Sequence, residues 1–474
     1  MKHSYQLLVV LLLPFIFQFL TSKADDLVYE TFLNCMSSRN SSDHVSSLIY
    51  NPKNSSYTST LQAYIRNQRF NKSTTPKPII IVTPLYESHV QSTIICSKNM
   101  GMNLRIRSGG HDFEGLSYVS YTNFVLLDMS NFRSIDVNIE EETAMVQVGA
   151  IIGELYYRIW EKSKVHAFPA GVCPTVGIGG GGASFGVILS YKLQLVRVPE
   201  MVTVFRVVKT SEENVTDIFN RWQYVAEKMD NDLFIRLNLK PDHVNKTIRA
   251  SFTAFFLGDS DHLVTVMDKE FPELGVKKND CKEMSWIKSV LFWSSDDKAP
   301  LETLLIRSPS AKFAKRKSDY LQIPIPKNGI ESIMQKMLEL SVVGLAINPY
   351  GGRMSEIADW ETPFPHRAGN IFKIEYSVNW DEGGPDIEAY YVNQTRQFYD
   401  FMTPFVSKNP REAYLNYRDL DIGTSGVGNN SYAEGKVYGQ KYFKGNFERL
   451  VKVKTMVDPG DFFTNEQSIP VLKN

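Results

Sequence analysis

The chain has 474 residues, 43% of them hydrophobic and 22% charged, with 52 basic residues balancing 52 acidic ones. This is the composition of an ordinary globular protein of two or three domains, not of a disordered or fibrous one. A net charge of zero excludes bulk nucleic-acid binding and a polybasic membrane anchor, and four cysteines are too few for a disulfide-built scaffold.

Lys2 and His3, the apolar run Leu7–Leu20 and the small residues of Ser22-Lys23-Ala24 read as a signal peptide over 1–24. A membrane anchor is the alternative, but the run is short for a span and ends in a cleavage-like site. Export would place the protein outside the cell or in the cell wall, or in the vacuole, and would permit disulfides. Asn40, Asn54, Asn71, Asn214, Asn245, Asn393 and Asn429 each begin an Asn-x-Ser/Thr triplet, the pattern of a glycosylated surface.

Pro76-Lys77-Pro78 closes a polar segment rich in Ser and Asn. Ile79–Val82 is short, apolar and β-branched and predicts a buried strand. Glu87–Asn99 predicts a helix, and Leu104–Arg107 a strand that runs into the tight turn Ser108-Gly109-Gly110-His111-Asp112. Phe124–Asp128, Ala144–Val148 and Val187–Leu193 predict strands, and Ile152–Glu161 a helix. After Pro199 the pattern predicts strands over Val202–Val208, Leu233–Leu239, Thr247–Phe256 and Ile371–Trp380. Helices are predicted over Val215–Met229, Ile330–Leu340, Ile387–Phe405 and Phe447–Val457, the last stopped by Asp458-Pro459-Gly460. The class is α+β, with a boundary near residue 200.

Gly177-Ile178-Gly179-Gly180-Gly181-Gly182 matches the dinucleotide fingerprint G-x-G-x-x-G. It follows Cys173-Pro174-Thr175-Val176 and leads into a strand, whereas the fingerprint must follow a strand and open a helix. Gly182-Ala183-Ser184-Phe185-Gly186 matches a nucleophile elbow, which leaves a serine hydrolase as an alternative reading. That motif needs a strand before the serine and a helix after it. No zinc-ligand spacing is present, so no metal is expected. Two further sites carry more. In Arg105-Ile106-Arg107-Ser108-Gly109-Gly110-His111-Asp112, consecutive glycines after a strand expose N–H groups that cradle phosphate, with a histidine beside them. In Gly171-Val172-Cys173-Pro174-Thr175-Val176-Gly177 a cysteine is fixed on a tight turn. Either motif alone also fits a structural role.

Together the two motifs resemble the berberine bridge enzyme-like FAD-linked oxidases, within the vanillyl-alcohol-oxidase-type flavoproteins. The likeness extends through Glu283-Met284-Ser285-Trp286, Pro349-Tyr350-Gly351-Gly352, Pro363-Phe364-Pro365-His366-Arg367-Ala368-Gly369 and Asn416-Tyr417-Arg418-Asp419-Leu420-Asp421 to Asn465-Glu466-Gln467-Ser468-Ile469-Pro470. It implies a PCMH-type FAD-binding domain of two subdomains over 25–205. A substrate-binding domain with an antiparallel sheet and covering helices would follow over 206–410, and a C-terminal segment over 411–474 would return to the FAD domain. FAD would be bonded to His111 through its 8α-methyl and to Cys173 through C6. Arg107, Ser108, Gly109, Gly110 and Gly177 would surround it, with Ser108, Gly109 and Gly110 on the pyrophosphate. Cys35 and Cys96 would pair, leaving Cys281 a spare buried thiol. The implied protein is a secreted monomer with no membrane after signal cleavage, which passes a hydride from a small organic substrate to the flavin and then electrons to O2. Tyr417 and Glu375 are the candidate bases. Arg418 is expected to lower the Tyr417 pKa, and strand alternation puts Lys373 on the Glu375 face, where it would bias whichever acts.

The sequence departs from that family at Gly180–Gly181. There a segment with a second Gly-rich turn and several strands is expected, and roughly fifty residues are missing by that comparison. A sheet without inner strands leaves unpaired backbone groups. A catalytically impaired relative that binds FAD poorly or folds poorly, or a product of faulty splicing or gene prediction, is therefore the alternative to an active oxidase.

Overall fold

A computed structural model describes residues 26–40, 45–178, 184–294, 297–307, 312–426 and 431–472. The expected signal peptide, the Gly180–Gly181 junction and Asn429 lie outside them.

The first unit contains α1 (26–39), β1 (Ile49–Tyr50), α2 (Tyr57–Gln62), β2 (Ile80–Val82), α3 (Glu87–Asn99), β3 (Asn103–Arg107) and β4 (Phe124–Asp128). Its sheet has the order β1-β2-β4-β3, with β2 and β3 parallel to β4. β2 and β4 are buried throughout, as their uninterrupted apolar runs require of a sheet covered on both faces. Ile80, Val82, Val125 and Leu127 face Val90 and Cys96 of α3, whereas Ile81, Phe124 and Leu126 face Tyr57 and Leu61 of α2. Cys35 on α1 and Cys96 on α3 form a disulfide across a sequence separation of 61. Closing a loop of that length restricts the unfolded chain by about 4 kcal/mol. The Cys35→Ser variant should lose a comparable amount in a urea melt, and an unchanged midpoint would refute this.

The second unit contains β5 (Ile135–Asn138), β6 (Thr143–Gln147), α4 (Ile152–Lys162), β7 (His166–Ala167), β8 (Ser190–Gln194) and β9 (Val196–Arg197). β5-β6-β8 is an antiparallel sheet, and β7 pairs with β9. β8 has no buried residue and is an edge strand of this small sheet, just past the junction where the missing block is expected.

The third unit contains β10 (Val202–Lys209), α5 (Val215–Val225), β11 (Leu233–Asp242), β12 (Thr247–Phe256), α6 (Ser260–Glu270), β13 (Cys281–Met284) and α7 (Trp286–Trp293). It continues with β14 (Phe313–Leu321), α8 (Lys327–Leu340), β15 (Gly344–Pro349), α9 (Arg353–Glu356), β16 (Phe372–Trp380) and α10 (Pro385–Phe401). Its seven strands run antiparallel in the order β13-β10-β12-β11-β15-β16-β14. Because β10 belongs wholly to this sheet, the unit begins at Val202, a few residues before the expected 205/206 boundary. Alternation divides the sheet. Leu237, Ile347, Ile374, Tyr376 and Val378 pack on α5, α8 and α10. Arg236, Arg316, Asn348, Lys373 and Glu375 point to the other face, toward the first unit. The closing segment, with α11 (Tyr432–Phe443) and α12 (Asn446–Val457), returns to the first unit. There Phe462 and Phe463 join its core, and Glu466 pairs with Arg105 of β3 at 2.8 Å.

Candidate active site

The turn after β3 is shaped by glycine. Gly110 has a φ of +69°, and a side chain on it would strike the Tyr64 carbonyl oxygen at 1.8 Å. A side chain on Gly109 would lie 2.5 Å from the backbone nitrogen of Gly177, so the two predicted loops meet backbone to backbone. Among the described residues, no acceptor engages the N–H groups of Gly109, Gly110 or His111, which makes the turn an anion nest. The Arg66 guanidinium reaches the Gly109 carbonyl at 3.3 Å. His111 Nε2 lies 2.9 Å from the Thr175 hydroxyl, and Cys173 Sγ lies 3.4 Å from the same oxygen. Burial, helped by Arg66, lowers the His111 pKa to about 4, so the ring is neutral. A neutral imidazole and a cysteine converging beside an anion nest fit the ring end and pyrophosphate of FAD.

His111 also lines a cavity of about 200 Å³ shared with Arg66, Phe113 and Arg316. Across it, Arg316 pairs with Glu375 at 2.9 Å. Tyr417 meets Phe113 edge to face with ring centroids 6.1 Å apart. Lys373 Nζ lies 4.4 Å from the centre of the Tyr417 ring and 3.9 Å from that of Tyr414. Lys373, Glu375 and Tyr417 are thus brought together, next to the cavity residues Arg316 and Phe113. Burial, reinforced by Arg236 and only partly offset by Glu375, lowers the Lys373 amine to about 7. Burial and then the nearby charge of Glu375 hold the Tyr417 phenol well above its ordinary value.

Four expectations need correction. Arg418 does not lower the Tyr417 pKa: its guanidinium turns to Asp112 at 3.3 Å and Asn465 at 3.3 Å. Arg107 is fully buried and its guanidinium is used up on Asp128 and on the carbonyls of Thr60 and Leu61, so it braces the turn without reaching a ligand. Ser184 is not a poised nucleophile. It is 4% exposed, its hydroxyl accepts the Ile469 N–H at 3.2 Å, and the chain beyond it extends into β8 with no helix. Asn40 is 9% exposed, and the amide nitrogen that would carry a glycan donates to the Met36 carbonyl at 2.8 Å and to Ser92 at 3.0 Å. Ser108 lies in the nest, but its hydroxyl donates to the Val148 carbonyl, which leaves only its backbone for a phosphate. Cys281 is a half-buried thiol on β13, raised to about 11 by burial.

Sequence reasoning missed the residues that join the units. Asn67 donates to the carbonyls of Phe113 and Ala314, tying the first unit to β14. Lys315 and Lys317 of β14 are buried against Glu114, Asp419 and Asp421. Burial would raise the Asp421 carboxyl, but the hydrogen bond from Arg396 and the charges of Lys315 and Lys317 outweigh it and hold the group well below the ordinary range. A depressed carboxylate stabilises above its unfolded pKa, 3.8, and that contribution is lost as pH falls below it. The stability gap between the wild type and Asp421→Asn should therefore be constant from pH 7 to pH 5 and close below about pH 4. A gap independent of pH in urea melts would disprove this.

Comparison with known proteins agrees. Residues 78–208 match the model "FAD binding domain", and residues 413–470 match "Berberine and berberine like". Berberine bridge enzyme-like 8 of Arabidopsis thaliana is 48% identical over 534 aligned positions that cover 100% of both chains. As this chain has 474 residues, 60 of those positions have no counterpart in it. The structure of BBE-like #28 from Arabidopsis thaliana is 40% identical with a TM-score of 0.88, covering 94% of this chain and 100% of that one. The grass pollen allergen Phl p 4, described as having glucose dehydrogenase activity, is 38% identical with a TM-score of 0.89, over 94% and 100% of the two chains.

Proposed function

The chain belongs to the berberine bridge enzyme-like family of FAD-linked oxidoreductases, and from that premise we propose that it oxidises a small organic substrate with FAD bonded to His111 and Cys173 and with O2 as the acceptor. The observation that carries the reading is the meeting of His111 and Cys173 on one hydroxyl, with His111 lining a cavity whose Arg316 and Phe113 contact Glu375 and Tyr417 behind them. When bound, FAD takes a hydride from a C–H bond next to oxygen or nitrogen.

The chain's own residues manage the accompanying proton. With its pKa raised, Tyr417 is a phenol and not a phenolate, so it acts as a relay. It accepts the substrate proton at its oxygen while passing its own to Glu375. Arg316 holds that carboxylate in place. Lys373, when protonated, offsets negative charge developing on the ring it covers. The Gly109–His111 nest holds the pyrophosphate.

Secretion as a monomer, with glycans on Asn54, Asn71, Asn214, Asn245 and Asn393, completes the reading. Asn54, Asn214, Asn245 and Asn393 are exposed. Glucose heads the substrate panel because a pollen relative is described as a glucose dehydrogenase. Mixed without air, a true substrate among sugars, alcohols and amines should bleach the flavin band, and admitting air should restore it with peroxide formed. A panel that never bleaches a loaded flavin would refute the reading. The 60 unmatched positions favour a second reading, a relative that retains flavin poorly and is catalytically impaired.

A further inference from the structure

The Thr175 hydroxyl meets both proposed attachment residues, 2.9 Å from His111 Nε2 and 3.4 Å from Cys173 Sγ. It is held from several sides. The Val176 N–H donates to the Cys173 carbonyl at 3.1 Å, Gly153 N–H to the Pro174 carbonyl at 2.9 Å, and Ile152 N–H to the Val176 carbonyl at 2.8 Å. A threonine hydroxyl has a single proton, so within this trio it can donate to only one neighbour while accepting from the other. Two arrangements result. In one, Nε2–H donates to Thr175 and Thr175 donates to sulfur. In the other, the thiol donates to Thr175 and Thr175 donates to Nε2. Both need a neutral imidazole, which the buried site provides.

We infer that Thr175 is a positioning residue that couples the two flavin attachments, presenting His111 first and then taking the proton of Cys173. The inference rests on the bicovalent reading above. In the first arrangement the ring proton sits on Nε2, and the lone pair of Nδ1 is free to bond the 8α carbon. That carbon loses one hydrogen as a proton, and Nε2, on a ring that alkylation has made a cation, then gives up its own. The two electrons of the broken C–H bond leave through the flavin to dioxygen, which with two protons becomes hydrogen peroxide. Alkylation at Nδ1 leaves Nε2 with a lone pair, which is the second arrangement. The thiol proton then passes through Thr175 to Nε2, and sulfur bonds C6. The C6 hydrogen leaves as a proton, and two electrons again go to dioxygen. The histidine bond therefore precedes the cysteine bond.

The test uses the full secreted chain as wild type, Thr175→Val and Thr175→Ser. Two quantities are read: flavin retained after acid precipitation, and the share of Cys173 that iodoacetamide alkylates after denaturation. Wild type and Thr175→Ser should keep acid-stable flavin and protect Cys173. Thr175→Val should keep flavin through His111 but leave Cys173 open to alkylation, with sulfur attachment slowed about 100-fold. Thr175→Ala removes the same hydroxyl and serves if the valine variant does not fold. Equal protection of Cys173 without the hydroxyl, or wild-type attachment through Cys173 before His111, would overturn the coupling. A wild-type chain without acid-stable flavin would instead overturn the bicovalent reading, and the coupling with it.

Discussion

Tyr417→Phe is expected to lower kcat/KM by about 100- to 10,000-fold, the usual contribution of a positioned proton-transfer group. The substitution removes one oxygen from a ring held by Phe113, Tyr414 and Lys373, so packing and substrate access are retained. Glu375→Gln should cost a similar factor, because the carboxylate is the end of the same relay. The double variant should be hardly worse than either single one, since groups that act as a unit are not additive. Multiplicative losses in the double variant would show that the two residues act separately. Near-normal turnover in Tyr417→Phe would remove the phenol from the mechanism altogether.

Lys315→Met should destabilise the folded chain by about 3–5 kcal/mol. The Lys315 ammonium is 2% exposed and lies 2.5 Å from Glu114 and 2.7 Å from Asp419. Burial would lower its pKa, but Glu114 and Asp419 outweigh burial and raise it. Methionine fills most of the volume and leaves two carboxylates buried with less compensation. Lys315 lies on β14 and its partners lie in the loop after β3 and in the C-terminal segment, so its loss loosens the first unit, the third and the closing segment against one another. A urea melt measures it, and a loss below about 1 kcal/mol would mean that Lys317 and Arg69, which lies 3.6 Å from Glu114, suffice.

The chemistry-bearing loops were legible because each is a local signal. Glycines at 109 and 110 and a cysteine before Pro174 need no partner to be noticed. The apolar strands β2 and β4 were legible for the same reason, since a continuous β-branched run has only one comfortable place. β14 was not. Its sequence Phe313-Ala314-Lys315-Arg316-Lys317-Ser318-Asp319 reads as a solvated stretch, because alternation normally turns charges outward. Here both faces are buried, one by acidic partners about 100 and 200 residues away and the other by the Glu375 cluster. The Arg418 expectation failed for a related reason. Adjacency in sequence says nothing of direction, and successive side chains diverge, so the residue beside Tyr417 points to Asp112. Thr175 had no sequence signal of its own, since a threonine becomes informative only when two loops close on it.

Whether this chain, short of 60 positions of its relative, still bonds flavin decides between the active oxidase and the impaired relative. The direct measurement is acid precipitation of the purified protein, followed by spectroscopy of the pellet. A yellow pellet, lost in the variant that combines His111→Ala with Cys173→Ala, is the predicted result. A colourless wild-type pellet, with any flavin left in the supernatant, would contradict it.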